Sequence, residues 1–202
     1  KKEDSISAER YPLELVMCSR CKHVQLKHIV NPELLFGGYI YRSGTSQFFQ
    51  EHFKNLALQI REMYPDLKTV LEVGSNDGTL LRYLESVGLE ASGIEPSEIL
   101  ANECNDFGLQ VDCGYFEEKS ITTLQTLRNK YDLIIGNNVF AHISNLASAF
   151  ELVDRLLEHN GVFIFEVAHL KYILKDRIFD TIYHEHMSYH TAYALREFLK
   201  MH

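Results

Sequence analysis

Residues 70–78, which read Val-Leu-Glu-Val-Gly-Ser-Asn-Asp-Gly, constrain the fold of this chain more than any other stretch. An apolar run leads into a glycine turn, and Gly78 then opens a segment with helical spacing of its apolar residues. This order predicts the strand–loop–helix unit with which open α/β sheets bind nucleotides. The loop is not of the phosphate-binding G-x-G-x-x-G form, because Asn76 and Asp77 stand between its glycines.

The charge around this loop narrows the class of ligand. Glu72 precedes the loop and Asp77 lies within it, so the site repels phosphate and favours a ligand that carries an amine or a positive charge. S-adenosylmethionine has both a sulfonium and an amino group. The loop therefore favours methyl transfer over hydride transfer. Asp77 has two interpretations of equal weight, a ligand of the amino group or a cap of the following helix.

Strands and helices alternate from residue 67 onward, which predicts a Rossmann-like α/β fold with a parallel sheet covered on both faces. Apolar spacing predicts an earlier amphipathic helix over 46–63 and a last helix over 192–200. The predicted strands are 69–73, 91–95, 109–111, 131–136 and 162–167, and the predicted helices between them are 79–87, 97–107, 120–129 and 146–158. Enzymes of this fold that use S-adenosylmethionine usually have seven strands, so we expect the chain to be truncated.

Three regions are expected along the chain: a small N-terminal region over 1–36, a connecting loop and helix over 37–66, and the α/β domain over 67–202. The net charge of −8 disfavours nucleic acid as a partner, because such partners call for a basic face. No apolar run is long enough to span a membrane and no signal peptide is visible, so we expect a cytoplasmic protein.

Cys18 and Cys21 form a C-x-x-C pair, which is half of a structural zinc site. His23 follows too closely to be a convenient third ligand, so we expect a second cysteine pair upstream of residue 1. Cys104 and Cys113 stand apart, and each is predicted to be a small core residue.

Polar residues end two of the predicted strands, where ligands of open α/β sheets bind. Glu95 ends the second strand, and its carboxylate offers two acceptor oxygens to the two hydroxyls of a ribose. The other interpretation of Glu95 is a solvated acid in a turn. Asn137 and Asn138 end the fourth strand and are expected to face the same cleft.

A second group of candidates is the segment Tyr183-His184-Glu185-His186, with His190 beyond it. Histidine titrates near neutral pH and is the usual general base. If the segment is extended, His184 and His186 share one face, while Tyr183 and Glu185 share the other. Three interpretations stay open here: a general base, a metal ligand set, and an exposed polar loop.

The chain resembles the deoxysugar C-methyltransferases, which add a methyl group to C3 of nucleotide-linked 4-keto sugars. The resemblance covers nearly the whole chain and rests on the joint order of several motifs. These are Tyr11-Pro12-Leu13-x-Leu15, Cys18-x-x-Cys21, Gln25-Leu26, the loop Tyr39-x-Tyr41-x-Ser43-Gly44-Thr45-Ser46, the 72–78 loop, Gly93-Ile94-Glu95-Pro96, Asn137-Asn138-Val139-Phe140-Ala141-His142 and Phe179-Asp180-Thr181-Ile182-Tyr183-His184-Glu185-His186.

This resemblance implies roles for individual residues. His186 is implied to be the general base, supported by Tyr183 and Glu185, and His142 to face the sugar. S-adenosylmethionine is implied to be held by the loop and strand-end residues Glu72, Gly74, Asn76, Asp77, Gly78, Glu95 and Asn137. The substrate is implied to contact Tyr39, Tyr41, Asn138 and His184, and the family's structural zinc to be held in part by Cys18 and Cys21.

The expected activity is therefore S-adenosylmethionine-dependent methylation of C3 of a nucleotide-linked 4-keto deoxysugar through an enolate that a base generates. Two alternatives remain: a methyltransferase that acts on oxygen or nitrogen, and a non-catalytic protein that binds S-adenosylmethionine. The Tyr-His-Glu-His segment disfavours the first of these, because oxygen and nitrogen acceptors need less proton abstraction. A nicotinamide enzyme is the least favoured class.

Overall fold

The computed structural model describes residues 9–39, 41–118, 120 and 130–200, and its centre is a five-stranded parallel sheet. The strands of this sheet are β3 (Thr69–Val73), β4 (Glu90–Glu95), β5 (Gln110–Cys113), β6 (Tyr131–Asn137) and β7 (Leu157–Glu166). Their spatial order is β5-β4-β3-β6-β7, so the chain reverses direction across the sheet between β3 and β6. A ligand crevice is expected at that reversal, beyond the carboxyl ends of β3, β4 and β6. We call this side of the sheet the carboxyl edge.

Helices cover both faces of the sheet, as the alternating pattern predicted. They are α2 (Gln47–Met63), α3 (Thr79–Ser86), α4 (Glu98–Asp106) and α5 (Leu146–Leu156). One core cluster joins Ile60 of α2 and Leu84 of α3 to Val70 and Leu133 of the sheet. A second cluster, on the other face, joins Leu71 to α5. Alternate residues of β3 therefore pack against opposite layers.

A second sheet is small and antiparallel. Its strands are β1 (Leu15–Met17), β2 (Val24–Leu26) and β8 (Ser188–Tyr189), in the order β1-β2-β8. The first two pair as an antiparallel hairpin within the predicted N-terminal region over 1–36. The third comes from beyond the main sheet, where Val24 pairs with Tyr189. The N-terminal hairpin thus packs against the segment that follows Tyr183–His186.

Several boundaries differ from the sequence-based expectation. Helix α5 ends at Leu156, before its predicted end at residue 158, and Leu157 already pairs with Tyr131, so β7 begins before its predicted start at residue 162. Pro32 begins a helix, α1 (Pro32–Phe36), whose first turn is capped by the Asn31 side chain. Helix α6 (Leu170–Asp176) was not predicted, and α7 (Ala192–Leu199) was. The helix predicted over 120–129 lies, apart from Ser120, outside the described residues.

The cysteine predictions had mixed outcomes. Cys104 is buried, as predicted, whereas Cys113 is exposed, so its assignment to the core was wrong. Cys113 is the last residue of β5, an edge strand of the five-stranded sheet, so only one neighbouring strand covers it. No helix within the described ranges is long and apolar enough to cross a membrane.

Asp132 joins the starts of β3 and β6. Its Oδ2 accepts hydrogen bonds from the backbone N–H groups of Lys68 and Thr69, at 2.9 and 3.0 Å, and from the Thr69 hydroxyl at 3.2 Å. Burial by itself would raise the pKa of this carboxyl, but the three donated hydrogen bonds outweigh it and lower the pKa. The carboxylate therefore stabilises the fold while it is ionised.

We expect Asp132→Ala to lower the free energy of unfolding by about 1–3 kcal/mol at pH 7, because two backbone donors lose their acceptor. Since the folded pKa is lowered, the stabilisation is present above the unfolded pKa, near 3.9, and is lost only as the pH falls through the folded value. Urea denaturation should therefore give the same difference at pH 7 and pH 5, and a smaller one below about pH 4. The exposed Asp154→Ala is the control; an equal effect of both variants would contradict this role.

Candidate active site at the carboxyl edge of the sheet

A cavity of about 380 Å³ lies at the carboxyl edge, where the order of strands predicts a ligand crevice. Its walls come from the ends of β3, β4 and β6, from α1 and the loop after it, from α2, and from the segment around His186. The sequence-predicted site residues that line it are Tyr39, Tyr41, Gly74, Asn76, Glu95, Asn137, Asn138, His142, Tyr183 and His186. Residues more than a hundred positions apart in sequence thus meet in one cavity.

Gly74 forms the floor of the cavity because only glycine fits there. Its φ of +69° is in the left-handed region, and an added Cβ would lie 2.4 Å from Cγ2 of Val139. Glu72, Asp77 and Gly78 do not line the cavity, although all three were predicted to bind the cofactor. Glu72 is buried, and burial, followed by the charges of Glu95 and Asp77, raises the pKa of its carboxyl well above the usual range. The cofactor-binding roles of these three residues stay predictions.

Asn76 and Asp77 hold a second loop over the cavity. The Asn76 side chain accepts from Ser43 N at 2.9 Å and donates to the carbonyl of Tyr41 at 3.0 Å. Asp77 accepts from Gly44 N at 2.8 Å and also from the backbone and hydroxyl of Thr79. The Asp77 carboxylate therefore bonds the first residue of the helix and the neighbouring loop, and its role toward the amino group of a ligand stays a prediction.

Glu95 is a buried carboxylate at the end of β4, only 4% exposed, which excludes its interpretation as a solvated turn acid. Its two oxygens accept from Asn76 N and Ser97 N, each at 2.9 Å. Burial raises the pKa of Glu95, and these two hydrogen bonds oppose the rise. Each oxygen keeps a further lone pair, so the side chain can still accept hydrogen bonds from a ligand in the cavity.

Asn137 is the last residue of β6 and Asn138 follows it, and the two differ in their hydrogen-bond partners. The side-chain nitrogen and oxygen of Asn137 are buried and have no partner among the described residues, which is costly unless a ligand or water pairs with them. Asn138 has a φ of +57°. Its backbone and side-chain N–H groups donate to Glu166, whose carboxylate also contacts His52 at 2.8 Å.

The side chain of His186 is fixed in one tautomer. Its Nδ1 lies 2.7 Å from the carbonyl oxygen of Thr181, which can only accept, so Nδ1 carries the proton. Its Nε2 is therefore an acceptor with a lone pair, and the hydroxyl of Tyr183, 3.2 Å away, is placed to donate to it. A histidine held in this way is oriented as a general base.

The segment that carries His186 is a turn, so the face-sharing considered for an extended segment does not apply. A 3₁₀ turn over Phe179–Thr181 is followed by a hydrogen bond from His186 N to the carbonyl of Tyr183 at 3.1 Å. Because of this turn, Tyr183 and His186 face the cavity together and do not alternate. His184 and Glu185 do not line the cavity.

Glu185 was predicted to support His186, and His184 to contact the substrate. The structure gives the orienting contact to the carbonyl of Thr181. Burial, and then the charge of Glu185, raise the pKa of Tyr39 to about 12 and also raise the pKa of Tyr183, so Glu185 lies near both phenols. The ring of His184 lies instead against Tyr11. The functional roles of both residues stay predictions.

His142 faces His186 across the cavity. Their ring centroids are 5.0 Å apart and the rings are nearly perpendicular. Burial, and then the proximity of His186, lower the pKa of His142 to about 4. His142 is therefore neutral near pH 7, and a neutral imidazole still carries one N–H that can donate a hydrogen bond.

Aromatic side chains that the sequence did not single out form another wall of the cavity. Phe36 of α1 packs against Tyr39 and His142, with ring centroids 5.7 and 5.6 Å apart. Tyr115 and Phe116 follow β5. The Asn31-Pro32 pair was a signal for α1, since asparagine and proline are typical of the N-cap and first position of a helix. No sequence pattern singled out Tyr115, Phe116 or Glu166.

Cys18 and Cys21 lie on the turn of the N-terminal hairpin, closed by a hydrogen bond from Cys18 N to the carbonyl of His23 at 2.8 Å. Backbone N–H groups of Cys21 and Arg20 lower the pKa of the Cys18 thiol, which favours the thiolate form that binds metals. Across the described residues, no group of three or more potential ligands converges on one point. The pair offers two thiolates, whereas structural zinc requires four ligands, so zinc binding by Cys18 and Cys21 stays a prediction.

Two family models match the chain. One, described as a methyltransferase domain, matches residues 42–201. The other, described as "Putative zinc binding domain", matches residues 1–36. Among curated proteins, the C-methyltransferase NovU of Streptomyces niveus is 32% identical to the chain over 203 residues, which are 99% of this chain and 48% of NovU. The chain thus spans about half the length of this relative.

Solved methyltransferase structures are similar in fold. BamL, a plantazolicin methyltransferase solved with S-adenosylhomocysteine, has a TM-score of 0.57 at 17% identity, over 75% of this chain and 60% of that one. An S-adenosylmethionine-dependent methyltransferase of Clostridium acetobutylicum has a TM-score of 0.52 at 19% identity, over 63% of this chain and 54% of that one. DesVI of Streptomyces venezuelae has a TM-score of 0.51 at 18% identity, over 62% of this chain and 53% of that one. At such identities the likeness shows a shared fold.

The family match and the fold agree with the Rossmann-like methyltransferase sheet predicted from residues 70–78 and from the alternating elements. NovU aligns with nearly the whole chain, including the N-terminal hairpin and the segment around His186. The chain therefore belongs to the methyltransferase-domain family, and the resemblance of its motifs to the deoxysugar C-methyltransferases is confirmed.

Proposed function

We propose that this protein transfers a methyl group from S-adenosylmethionine to C3 of a nucleotide-linked 4-keto deoxysugar. One observation carries the proposal: a buried carboxylate suited to a ribose and an oriented histidine base line the same cavity. Oxygen and nitrogen acceptors carry lone pairs and need no strong base, whereas a carbon acceptor must lose a proton first. The relative NovU, named a C-methyltransferase, supports a carbon acceptor.

The chain's own residues fit S-adenosylmethionine. Glu95 offers lone pairs to the ribose hydroxyls, and Asn137 offers an unpaired amide to the polar groups of the methionine end. Gly74 has no side chain, so a ligand can approach its backbone closely. When bound, S-adenosylmethionine supplies an electrophilic methyl group. The roles of Glu72, Asp77 and Gly78 in this proposal are indirect, because none of the three lines the cavity.

His186 begins the reaction on the acceptor. Its Nε2 removes the C3 proton, and the C–H electron pair moves toward the C4 carbonyl, whose oxygen gains negative charge as an enolate. The N–H of the neutral His142 is the donor for that oxygen, and such a donor is worth several kcal/mol in a site that excludes water. C3 of the enolate then attacks the methyl carbon, and the sulfur of the methyl donor leaves with its bonding pair.

The walls of the cavity position the acceptor for this attack. Tyr39 and Tyr41 lie on the loop that Asn76 and Asp77 clamp, and their rings are 6.3 Å apart. Asn138, whose side chain donates to the carboxylate of Glu166, also lines the cavity. Holding two reactants in line supplies much of the acceleration of a two-substrate reaction.

Cys18 and Cys21 are proposed as half of a structural zinc site, as the second family match suggests. Their role is to fix the hairpin turn. No step of the methyl transfer passes through the metal.

The test of the proposed function has two stages. Isothermal titration should show binding of S-adenosylmethionine and S-adenosylhomocysteine. Incubation with a nucleoside-diphosphate-linked 4-keto-6-deoxyhexose and ¹³C-methyl-labelled S-adenosylmethionine should then place the label on C3 by NMR. A label on oxygen or nitrogen would contradict the carbon acceptor, and tight binding of NAD without binding of S-adenosylmethionine would contradict the methyl donor.

A further inference from the structure

Two chain segments beside the facing histidines, residues 140–141 and 187–190, are joined by three hydrogen bonds. Met187 N and Ser188 N both donate to the carbonyl of Ala141, at 2.8 and 3.0 Å. The side chain of His190 lies 2.9 Å, through its Nε2, from the carbonyl of Phe140. His142 directly follows the first segment, and His186 directly precedes the second. The three bonds therefore lie next to the two residues whose rings meet in the cavity.

The contact of His190 is a side-chain contact and has only one possible direction. The carbonyl of Phe140 can only accept, so Nε2 of His190 carries the proton and donates it. His190 is 1% exposed, and its Nδ1 has no partner among the described residues. A buried histidine with one unpaired nitrogen is unfavourable by itself. The contact with the Phe140 carbonyl is thus the hydrogen bond that compensates in part for burying this side chain.

The segment that carries His190 is also held from its other side. Gln25 and Val24 of β2 pair with Ser188 and Tyr189 of β8. The hydrogen bond of His190 is therefore the side-chain contribution to the three bonds that hold this small sheet, and with it His186, against the segment that follows β6.

We propose that His190 is a positioning residue, which clamps the segment of His186 to the segment of His142 and so fixes the distance between the two rings. This inference rests on the proposed function, because the two rings matter only if they act as base and donor on one substrate. His190 does not line the cavity and contacts no reacting atom. Burial lowers its pKa, so the neutral, singly protonated form that the clamp requires is the form present near pH 7.

Two substitutions separate this role from mere core packing. The amide nitrogen of glutamine is the same number of bonds from Cα as Nε2 of histidine, whereas that of asparagine is one bond nearer. His190→Gln can therefore still donate to the Phe140 carbonyl, and His190→Asn cannot reach it. The two side chains have the same chemistry and nearly the same polarity, so a difference between the variants reports the clamp.

The first readout is exchange of the C3 proton of the 4-keto sugar for deuterium without S-adenosylmethionine, which measures the base alone. We expect His190→Asn to slow this exchange and kcat by about tenfold to a hundredfold, as for a misplacement of about 1 Å. KM and the affinity for S-adenosylmethionine should stay near wild type, and His190→Gln should retain most of the rate. Equal rates for the two variants would overturn the inference.

The second readout does not depend on activity. Ring protons of His142 and His186 should give an NMR cross-relaxation signal in the wild type and in His190→Gln, but not in His190→Asn. If the wild type shows this signal and neither exchanges nor methylates the sugar, the proposed function fails while the clamp stands. If the signal persists in His190→Asn, the clamp fails whatever the activity.

Discussion

Replacing His186 with asparagine should lower the rate of C3 methylation by about 10²–10⁴-fold, the contribution of a positioned general base. Asparagine can still donate to the carbonyl of Thr181, so the local turn should persist. It has no basic nitrogen in place of Nε2, and the C3 proton then has no acceptor. Deuterium exchange at C3 without S-adenosylmethionine should fall by the same factor, because it isolates the proton-transfer step.

The affinity of His186→Asn for S-adenosylmethionine should stay near wild type, since His186 belongs to the acceptor side of the cavity. His159→Asn is the matched control, because His159 is exposed on β7 away from the cavity. A loss of binding of S-adenosylmethionine in His186→Asn would contradict the assignment as base, and so would unchanged exchange at C3.

The main sheet could be predicted from the sequence because each of its elements is specified locally. The strand Thr69–Val73 was predicted at its observed bounds, since an apolar run there ends in a glycine turn. The helix over Gln47–Met63 follows from apolar residues at helical spacing. Leu157 was less predictable: its pairing with Tyr131 ends the helix before the nearest glycine, and pairing with a distant strand leaves no local signal.

The site was harder to predict because its conformation depends on contacts between distant segments. The residue types of Tyr183–His186 do not reveal the conformation of the segment, which forms a turn that brings Tyr183 and His186 to one side. The hydrogen bond of Met187 N to Ala141 and the pairing of Ser188 with Gln25 impose this path. The orienting partner of His186 is a backbone carbonyl, which no residue type in the sequence reveals.

Asp77 illustrates the opposite case, in which a motif identifies a loop but not the direction of a side chain. Its carboxylate faces Gly44 and Thr79, away from the cavity. An added Cβ on Gly44 would lie 2.8 Å from Oδ2 of Asp77, so the close approach of the two loops explains both residues. The motif therefore predicts where the loop lies, whereas the partners of Asp77 depend on a loop that is distant in sequence.

Replacing Glu95 with glutamine should weaken binding of S-adenosylmethionine by about a hundredfold, because two hydrogen bonds to a charged acceptor are worth about 3 kcal/mol together. The carboxylate accepts from Asn76 N and Ser97 N and still has lone pairs for two ribose hydroxyls. The amide of glutamine must turn an N–H₂ group toward one of these backbone donors, and that group accepts nothing from a hydroxyl. Isothermal titration measures the loss directly.

A comparison of ligands separates the contact with the ribose from damage to the loop. The wild type should bind S-adenosylhomocysteine more tightly than its 2′-deoxy analogue, whereas Glu95→Gln should bind both almost equally. Burial raises the pKa of Glu95 above 4.5, so this carboxylate becomes protonated at a higher pH than an exposed glutamate does. As the solution is acidified, the preference of the wild type for the ribose with both hydroxyls should therefore be lost at that higher pH. Glu98→Gln, on the exposed start of α4, is the matched control and should change neither ligand's affinity. If Glu95→Gln lost affinity for both ligands by the same factor and kept the wild-type preference, the carboxylate would support the loop alone, and the ribose contact would have to be assigned to another residue of the cavity.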